Sequence, residues 1–255
     1  MPLISQGHFY FCSMPPSKRK GKGKPSPRSK FSKYLSIAKS VIKWYFIITI
    51  VWVILYRFVN PPVTFLMIQR GIEGKFAGKG WVLDKRWKDY GELSKNLKHA
   101  AIAGEDANFM THHGFDFRSI QKAYFKNKAG KPVRGGSTIS QQTAKNVFLW
   151  PGRSYIRKIF EAYFTVLIEI FWSKQRILEV YLNVAEMGDG LYGAEAATQY
   201  YFHKSSARLT KSRAALIIAV LPNPRRWSPS HPTPYIYYKQ SLILRNMRRV
   251  SPPAP

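Results

Sequence analysis

Cysteine and acidic side chains are scarce in this chain of 255 residues. The single cysteine, Cys12, excludes an intramolecular disulfide and a metal site built from several thiolates. The first carboxylate is Glu73, and the whole chain has 13 Asp and Glu against 41 Lys and Arg. Only 12 of the basic residues precede Glu73, so the rest of the chain is also strongly basic. It should attract anions, which leaves nucleic acid, anionic lipid and a phosphate-bearing substrate open.

A basic segment of low complexity precedes the apolar part of the chain. Residues 15–30 consist entirely of Pro, Ser, Gly, Lys and Arg. Such a composition cannot bury enough apolar surface to offset the entropy lost on ordering. We therefore predict a disordered basic head over residues 1–38. The length of the whole chain is enough for one good core with an appendage.

A long apolar stretch follows this head. Residues 44–56 contain only Thr49 as a polar side chain, and residues 39–58 can span the roughly 30 Å hydrocarbon core if the flanking cations reach the interface. The alternatives are a buried core helix and a cleaved signal peptide. Residues 57–70 offer no Ala or Gly as a cleavage site, and a polybasic head directly before a core helix would be unusual.

We therefore predict a single membrane-spanning anchor over residues 39–60. The basic excess precedes the span, which indicates a cytoplasmic N-terminus in the inner membrane. The remaining domain, residues 61–255, would then be periplasmic.

Helical spacing dominates the rest of the chain, and no alternating strand pattern of convincing length appears. Ser154 and Ser173 are suited to cap the helices that follow them. Glycine and proline predict loops over residues 126–140 and 221–234 and a turn over 188–193. The fold class is therefore mainly α. The predicted helices cover residues 93–110, 119–125, a segment from about 140, 154–172, 173–187, 193–202 and 210–220.

Glu105 lies among small and apolar neighbours on a predicted helix. A carboxylate in such surroundings is partly desolvated, so its pKa should rise toward a value useful to a general base or acid. The alternative is an ordinary exposed helix acid or a structural partner for an arginine. Phe109, His113 and Gly114 predict that the helix stops close to the Glu105–Asp106 pair.

Arg153, Arg157 and Glu161 are spaced to share one side of a helix. They could form a surface ladder of ion pairs, each contributing little. They could instead line a cleft in which the arginines face a phosphate and Glu161 faces the same space. Spacing alone slightly favours the surface ladder.

The loop over residues 134–146 carries glycines, hydroxyls and amides in an order that suits ligand binding. Gly135 and Gly136 let a ligand approach the backbone closely, and Lys145 adds a point charge suited to phosphate. The spacing is not that of a P-loop. A capping turn before a helix near Ser140 would account for Ser137 or Thr138 individually. It would not account for the whole string, whose further polar donors are Gln141, Gln142 and Asn146.

Taken in chain order, these segments resemble the monofunctional biosynthetic peptidoglycan glycosyltransferases of glycosyltransferase family 51, from about residue 80 to 228. Arg213 departs from the family pattern, which usually has an acid before Ala-Ala-Leu, and we expect this to affect packing more than chemistry. In the first motif the spacing favours His113 over His112. The matching residues are Glu105, Asp106, Phe109, His113 and Gly114; Gly136–Ile139, Gln141, Gln142, Lys145 and Asn146; Arg153, Arg157, Lys158 and Glu161; Lys174, 177–179 and 181–183; and 214–216 with 221–224.

The resemblance implies a lysozyme-like, mostly helical glycosyltransferase domain behind the anchor, acting on lipid II. Glu105 would be the general base that deprotonates the acceptor 4-hydroxyl as it attacks C1 of the donor sugar. Glu161 would be the second essential carboxylate, orienting the leaving pyrophosphate. The outcome would be inversion, from an α-linked pyrophosphate to a β-1,4 glycan.

By the same resemblance, the leaving undecaprenyl pyrophosphate needs positive charge rather than an acid. Lys145, Arg153 and Arg157 would supply this charge. The donor would be held by Ser137, Gln141 and Asn146.

The resemblance implies no organic cofactor and no protein metal site, and it allows Mg²⁺ or Mn²⁺ to accompany the pyrophosphate. The expected partners are lipid II, the growing glycan and the inner membrane. Divisome or penicillin-binding proteins are compatible partners, whereas nucleic acid is not expected.

Two other functions compete with polymerisation. A glycan-cleaving enzyme could use Glu105 as its acid, but it would have no pyrophosphate to hold with Lys145, Arg153 and Arg157. A membrane-tethered binder of nucleic acid or anionic lipid would depend on salt and not on Glu105. The basic residues are interleaved with turn formers and carboxylates instead of stacking aromatics, which disfavours nucleic acid.

Overall fold

The computed structural model describes residues 27–78, 80–81, 83–128, 136–152 and 154–254. Most of this part of the chain is helical, which confirms the predicted mainly α fold. The helices are α1 (Pro27–Phe58), α2 (Phe65–Phe76), α3 (Lys95–Glu105), α4 (Phe117–Lys128), α5 (Ile139–Phe148), α6 (Tyr155–Phe171), α7 (Lys174–Val184), α8 (Ala194–Phe202), α9 (Lys211–Val220) and α10 (Pro234–Asn246), with short 3₁₀ turns at Tyr90–Glu92 and Ser206–Arg208.

Serine or threonine caps fix where most of these helices begin. The side-chain hydroxyl accepts a hydrogen bond from a backbone N–H in the first turn, a donor that has no partner within the helix. The predicted caps Ser154 and Ser173 are confirmed for α6 and α7. The other caps of this kind are Thr64, Ser94, Thr138, Thr210 and Thr233.

The core forms where α5 packs on α6 and α7, and where α9 packs on α3 and α10. Helix α9 is central to the second group, because every residue from Ala214 to Val220 is buried. A helix that is apolar on all sides belongs in the interior.

A small sheet joins the helices, although the sequence predicted no strand. Strands β1 (Asp84–Lys85), β2 (Glu186–Gly188) and β3 (Leu191–Tyr192) pair in the order β1-β3-β2, with β1 parallel and β2 antiparallel to β3. The predicted turn over 188–193 is therefore the bend of a hairpin. Strands of two or three residues are too short for alternation to be visible in a sequence.

Helices α2 and α10 have no counterpart among the predicted helices. Helix α4 continues to Lys128, into the predicted loop, and residues 129–135 lie outside the described part.

The N-terminal helix meets the requirements for a membrane span. Within the described residues, Tyr34–Phe58 is 25 residues long with a mean hydropathy of 1.8, and few of its side chains are buried. The chain divides into two compact units, 1–47 and 48–255. In the first unit, the side chains described from Tyr34 to Ile47 are exposed.

In the second unit, the last turns of α1 contact α6 and α7. The Thr49 hydroxyl hydrogen-bonds with that of Tyr163 at 2.7 Å, and Arg176 donates to the Tyr56 carbonyl at 3.0 Å. Helix α1 begins at Pro27, before the predicted anchor. Residues 1–26 of the predicted head lie outside the described residues. The boundaries at residues 38 and 60 stay predictions.

Candidate active site

A groove with a volume of about 480 Å³ has Glu105 on its floor. Glu105 is the last residue of α3, and Gly104 before it lies against α9 and α10. A Cβ at Gly104 would lie 2.7 Å from Cγ2 of Ile218 and 3.2 Å from Cδ1 of Ile243. Glycine therefore permits a close approach of three helices, and Glu105 lines a groove with residues of α10.

The surroundings of Glu105 favour a carboxylate that holds its proton more tightly than usual. Burial raises the pKa of Glu105. A hydrogen bond from Gln142 Nε2 to Glu105 Oε2 at 2.8 Å opposes this rise, as do the charges of Lys239 and Lys145. Burial outweighs them, so the predicted rise in pKa is confirmed.

Asp106 points away from this groove and holds the site together. Both its oxygens lie 2.9 Å from Nε2 of His112, and Oδ2 accepts the backbone N–H of Ile139 at 3.0 Å. The sequence favoured His113 as the motif histidine, but His113 is exposed. The structure assigns the contact with Asp106 to His112, so the preference for His113 was wrong.

Gly114 ties the first motif to the loop before α5. Its φ of 87° belongs to the left-handed region that favours glycine. A Cβ there would lie 2.8 Å from Thr165 on α6, and its carbonyl accepts the Thr138 hydroxyl at 2.6 Å.

The loop before α5 divides into a structural part and a part that faces the groove. Thr138 caps α5, and the Gln141 side chain accepts the Thr138 N–H at 3.0 Å in a capping box. The capping alternative is thus confirmed for Thr138, and Gln141 is buried in the cap instead of lining the groove. Ser137 and Gln142 do line the groove. Gly135 lies outside the described residues, and Asn146 is half-buried near the end of α5.

Glu161 is a buried anion held by two cations. Only 3% of it is exposed, its carboxylate accepts from Arg157 Nη1 at 3.1 Å, and Lys158 Nζ donates to it as well. Because Glu161 is buried, these residues do not form the surface ladder of ion pairs that spacing alone slightly favoured. The Arg157 Nε is buried and, among the described residues, has no hydrogen-bond partner. Arg153 lies outside the described residues.

Lys145 connects the two carboxylates electrostatically. Burial lowers the pKa of Lys145, and the positive charges of Arg157 and Lys158 lower it further. The negative charges of Glu161 and Glu105 act in the opposite sense. One half-buried ammonium therefore lies within electrostatic reach of both acids.

Lys174 has a structural role that its motif did not reveal. Its ammonium donates to the His112 carbonyl at 2.7 Å and to Glu169 at 2.8 Å, and it lies 4.7 Å from the centre of the Phe109 ring. The motif that begins at Lys174 thus holds the loop that follows Glu105 in place. Arg213 lies over the Phe202 ring at 5.2 Å, which agrees with the expected packing role.

A second set of groove-lining residues was missed by sequence reasoning. We name it the aromatic wall, and it consists of Trp227, Tyr235, Tyr238 and Lys239. The Trp227 and Tyr235 rings meet edge to face at 5.5 Å. The available signal was the aromatic side chains of Trp227, Tyr235 and Tyr238 followed by Lys239, whereas the sequence predicted only a loop over residues 221–234.

Two comparisons with known proteins return the same family. The family model described as Transglycosylase matches residues 76–248. A biosynthetic peptidoglycan transglycosylase of Caulobacter vibrioides is 56% identical over 194 residues, 76% of this chain and 82% of that protein. Proteins of the same name from Pseudomonas fluorescens SBW25 and Pseudomonas syringae pv. syringae B728a are 48% identical over 211 residues and 46% identical over 218 residues. These alignments cover 83% and 84% of this chain, and 88% and 92% of the respective relatives. The chain therefore belongs to the transglycosylase family, among the monofunctional biosynthetic peptidoglycan transglycosylases.

Proposed function

We propose that this transglycosylase polymerises lipid II into β-1,4-linked glycan strands and releases undecaprenyl pyrophosphate. The proposal is carried by two different carboxylates, Glu105 in a groove and Glu161 in a cationic cluster, both of which interact electrostatically with Lys145. A reaction that removes a proton at one point and expels an anion at another needs both environments. A hydrolase of neutral glycan would need only the first.

In this mechanism Glu105 is the general base. It accepts the proton of the acceptor 4-hydroxyl while that oxygen forms a bond to C1 of the donor sugar. A base whose pKa is raised toward the working pH is more effective, because it is strong enough to accept the proton and still largely ionised. The raised pKa of Glu105 supports this role.

The leaving group departs with the electron pair of the C1–oxygen bond as a lipid pyrophosphate. Lys145, Arg153 and Arg157 would stabilise its negative charge, and Ser137, which lines the groove, would hold the donor. Gln141 would act only indirectly, by capping α5. The unused Nε donor of Arg157, which has no partner in the described part of the chain, supports a ligand at this point. Attack and departure on opposite faces of the sugar give inversion at C1.

Glu161 fits the role of organising these cations better than the role of a metal ligand. Its carboxylate is already bound by Arg157 and Lys158. Within the described residues, no three His, Cys, Asp or Glu side chains gather into a group that could hold a metal ion. In this proposal Mg²⁺ or Mn²⁺ would accompany the pyrophosphate as a counter-ion, and no step above depends on either ion.

A lipid-linked substrate also requires the enzyme to remain at the membrane. We propose that residues 39–60 anchor the protein in the inner membrane, with the basic head in the cytoplasm and residues 61–255 in the periplasm. The apolar helix Tyr34–Phe58 supports the anchor, and the excess of Lys and Arg before the span supports the orientation. Divisome or penicillin-binding proteins would be met on the periplasmic side.

The test uses the full-length protein in detergent with labelled lipid II, with and without Mg²⁺. Glycan strands are resolved on gels, and released undecaprenyl pyrophosphate is measured separately. We expect wild-type protein to form strands and Glu105→Gln to lose activity by about 10²- to 10⁴-fold. The variant should keep its helical circular dichroism and its affinity for lipid II.

The matched control is Glu92→Gln, which changes an acid in an exposed pair with Lys88 and should leave activity unchanged. Undiminished chain growth by Glu105→Gln would exclude Glu105 as the base. Shortening of preformed glycan by the wild type, without growth from lipid II, would favour the hydrolase. Binding to nucleic acid that ignores Glu105 would favour the tethered basic protein.

A further inference from the structure

We propose that the aromatic wall is a saccharide subsite, where sugar rings of the glycan substrate pack on Tyr235 and Tyr238 and Lys239 donates to sugar oxygens. This inference rests on the proposed function, because it names the surface that holds the polymer near Glu105. The wall lies within residues 76–248, which the family model matches, and follows the last motif residues at 221–224.

The backbone fixes the wall relative to the base. Because residue 104 is glycine, α3 can approach both α9 and α10 within contact distance. Helix α10 begins at the Thr233 cap with Pro234 in its first turn, which sets its start firmly. Tyr235, Tyr238 and Lys239 therefore line the same groove as Glu105, with Ser137 and Gln142 among its other lining residues.

The exposed rings suit the apolar faces of sugars. Tyr235 and Tyr238 are 54% and 55% exposed, although both line a groove with several polar residues. An aromatic face is electron-rich and attracts the slightly positive C–H groups that a pyranose ring presents on its faces. Large aromatic side chains left open in a concave polar site indicate a ligand that combines apolar faces with many hydroxyls.

Contacts with two aromatic rings help to position the side chain of Lys239. Its ammonium lies 5.1 Å from the centre of the Trp227 ring and 5.7 Å from that of Tyr235. Such contacts restrict the side chain to this side of the groove. Its charge also favours the ionised form of Glu105, which supports a position close to the base.

A nucleic acid would also stack on aromatic rings beside a cation. The floor of this groove, however, carries the carboxylate of Glu105, and its other polar groups include the neutral residues Ser137, Gln142 and Asn246. A carboxylate opposes a polyanion, whereas neutral hydroxyl and amide groups match a glycan. The observations therefore favour the glycan.

The first test measures binding of chitotetraose, a soluble β-1,4-linked GlcNAc tetramer, to the full-length protein by titration calorimetry. We expect Tyr235→Ala and Tyr238→Ala each to weaken binding about threefold to tenfold. Tyr237→Ala is the matched control, since Tyr237 is 54% exposed on the same helix but does not line the groove. Equal affinities for all three variants would overturn the inference.

The second test separates Lys239 from a general loss of charge. In the lipid II assay, Lys239→Met should raise KM and move the acidic limb of kcat/KM to higher pH. Arg245→Met, which removes an exposed cation from the last turn of α10, should change neither. If both variants behave alike, Lys239 has no specific role.

The outcomes distinguish this inference from the proposed function. Strand synthesis by the wild type, with chitotetraose binding that ignores the wall, would refute the subsite and leave the polymerase standing. Chitotetraose binding that depends on the wall, without strand synthesis, would support the subsite and refute the polymerase. Tighter binding of a single-stranded oligonucleotide, with the same dependence on Tyr235, would assign the wall to nucleic acid and refute the subsite.

Discussion

Glu105 and Glu161 both lie within electrostatic reach of Lys145, but their immediate partners differ. Glu105 faces a groove and accepts from a neutral amide, Gln142. Glu161 is buried on α6 and is bound by Arg157 and Lys158. A carboxylate with a neutral donor can change its protonation state without breaking an ion pair, whereas a carboxylate between two cations chiefly sets their positions. The two acids therefore suit proton transfer and charge positioning, respectively.

After the loss of the base itself, removing the cation that both acids share should have the largest effect on activity. Lys145→Ala should lower kcat/KM with lipid II by about 10²- to 10³-fold, because the leaving pyrophosphate loses a preorganised charge. Lys145→Arg keeps the charge and should retain much more activity. Equal losses in the two variants would show that shape, and not charge, is what Lys145 contributes.

Replacing Glu161, the acid bound by two cations, should mainly lower the stability of the folded protein. Glu161→Gln leaves Arg157, whose side chain is only 12% exposed, without its carboxylate. We expect the free energy of unfolding in urea to fall by about 2 kcal/mol, the usual cost of losing a charged hydrogen bond. Glu92→Gln, on an exposed pair, is the control and should unfold like the wild type. An unchanged midpoint for Glu161→Gln would mean that the cluster is held by other contacts.

Replacing Glu105 should change the stability in the opposite direction and make the folded protein more stable. Because burial raises the pKa of Glu105, the folded protein binds a proton that the unfolded chain releases as the pH rises past its ordinary value of 4.5. Glu105→Gln cannot ionise and should be more stable than wild type by about 1 kcal/mol near neutral pH. This advantage should vanish in acid below the ordinary value. Thermal unfolding from pH 4 to 8 measures it, and a constant gap would contradict the linkage.

The smallest expected effect concerns the neutral donor. Gln142→Leu removes a hydrogen bond that favours the ionised form of Glu105, so the pKa of Glu105 should rise further. The acidic limb of the kcat/KM profile with lipid II should move to higher pH, while the alkaline part changes little. Gln142→Glu would place a second acid beside the first and should move the limb in the same direction. A limb that stays in place would show that Gln142 does not tune the base.

Local signals predicted the helices that local chemistry determines. Ser154 and Ser173 were recognisable as caps because a cap depends on residues within one turn. The two-residue strands β1 and β3 could not be recognised in the sequence, because their pairing joins residues more than 100 positions apart.

Adjacent residues were harder to assign than distant motifs. His112 and His113, or Gln141 and Gln142, differ by one step in the chain, and only the three-dimensional path decides which one faces Asp106 or Glu105. The aromatic wall lies more than 120 residues after Glu105. The packing of α3 and α10 on α9, close at Gly104, brings them together.

The amide of Gln142 has one further consequence. A primary amide carries a donor and an acceptor on the same planar group. Once Glu105 has taken up a proton, half a turn of that amide lets its oxygen receive the new O–H. The same neighbour can thus accompany the base before and after each sugar is added, and a chain could be extended repeatedly without rebuilding the site.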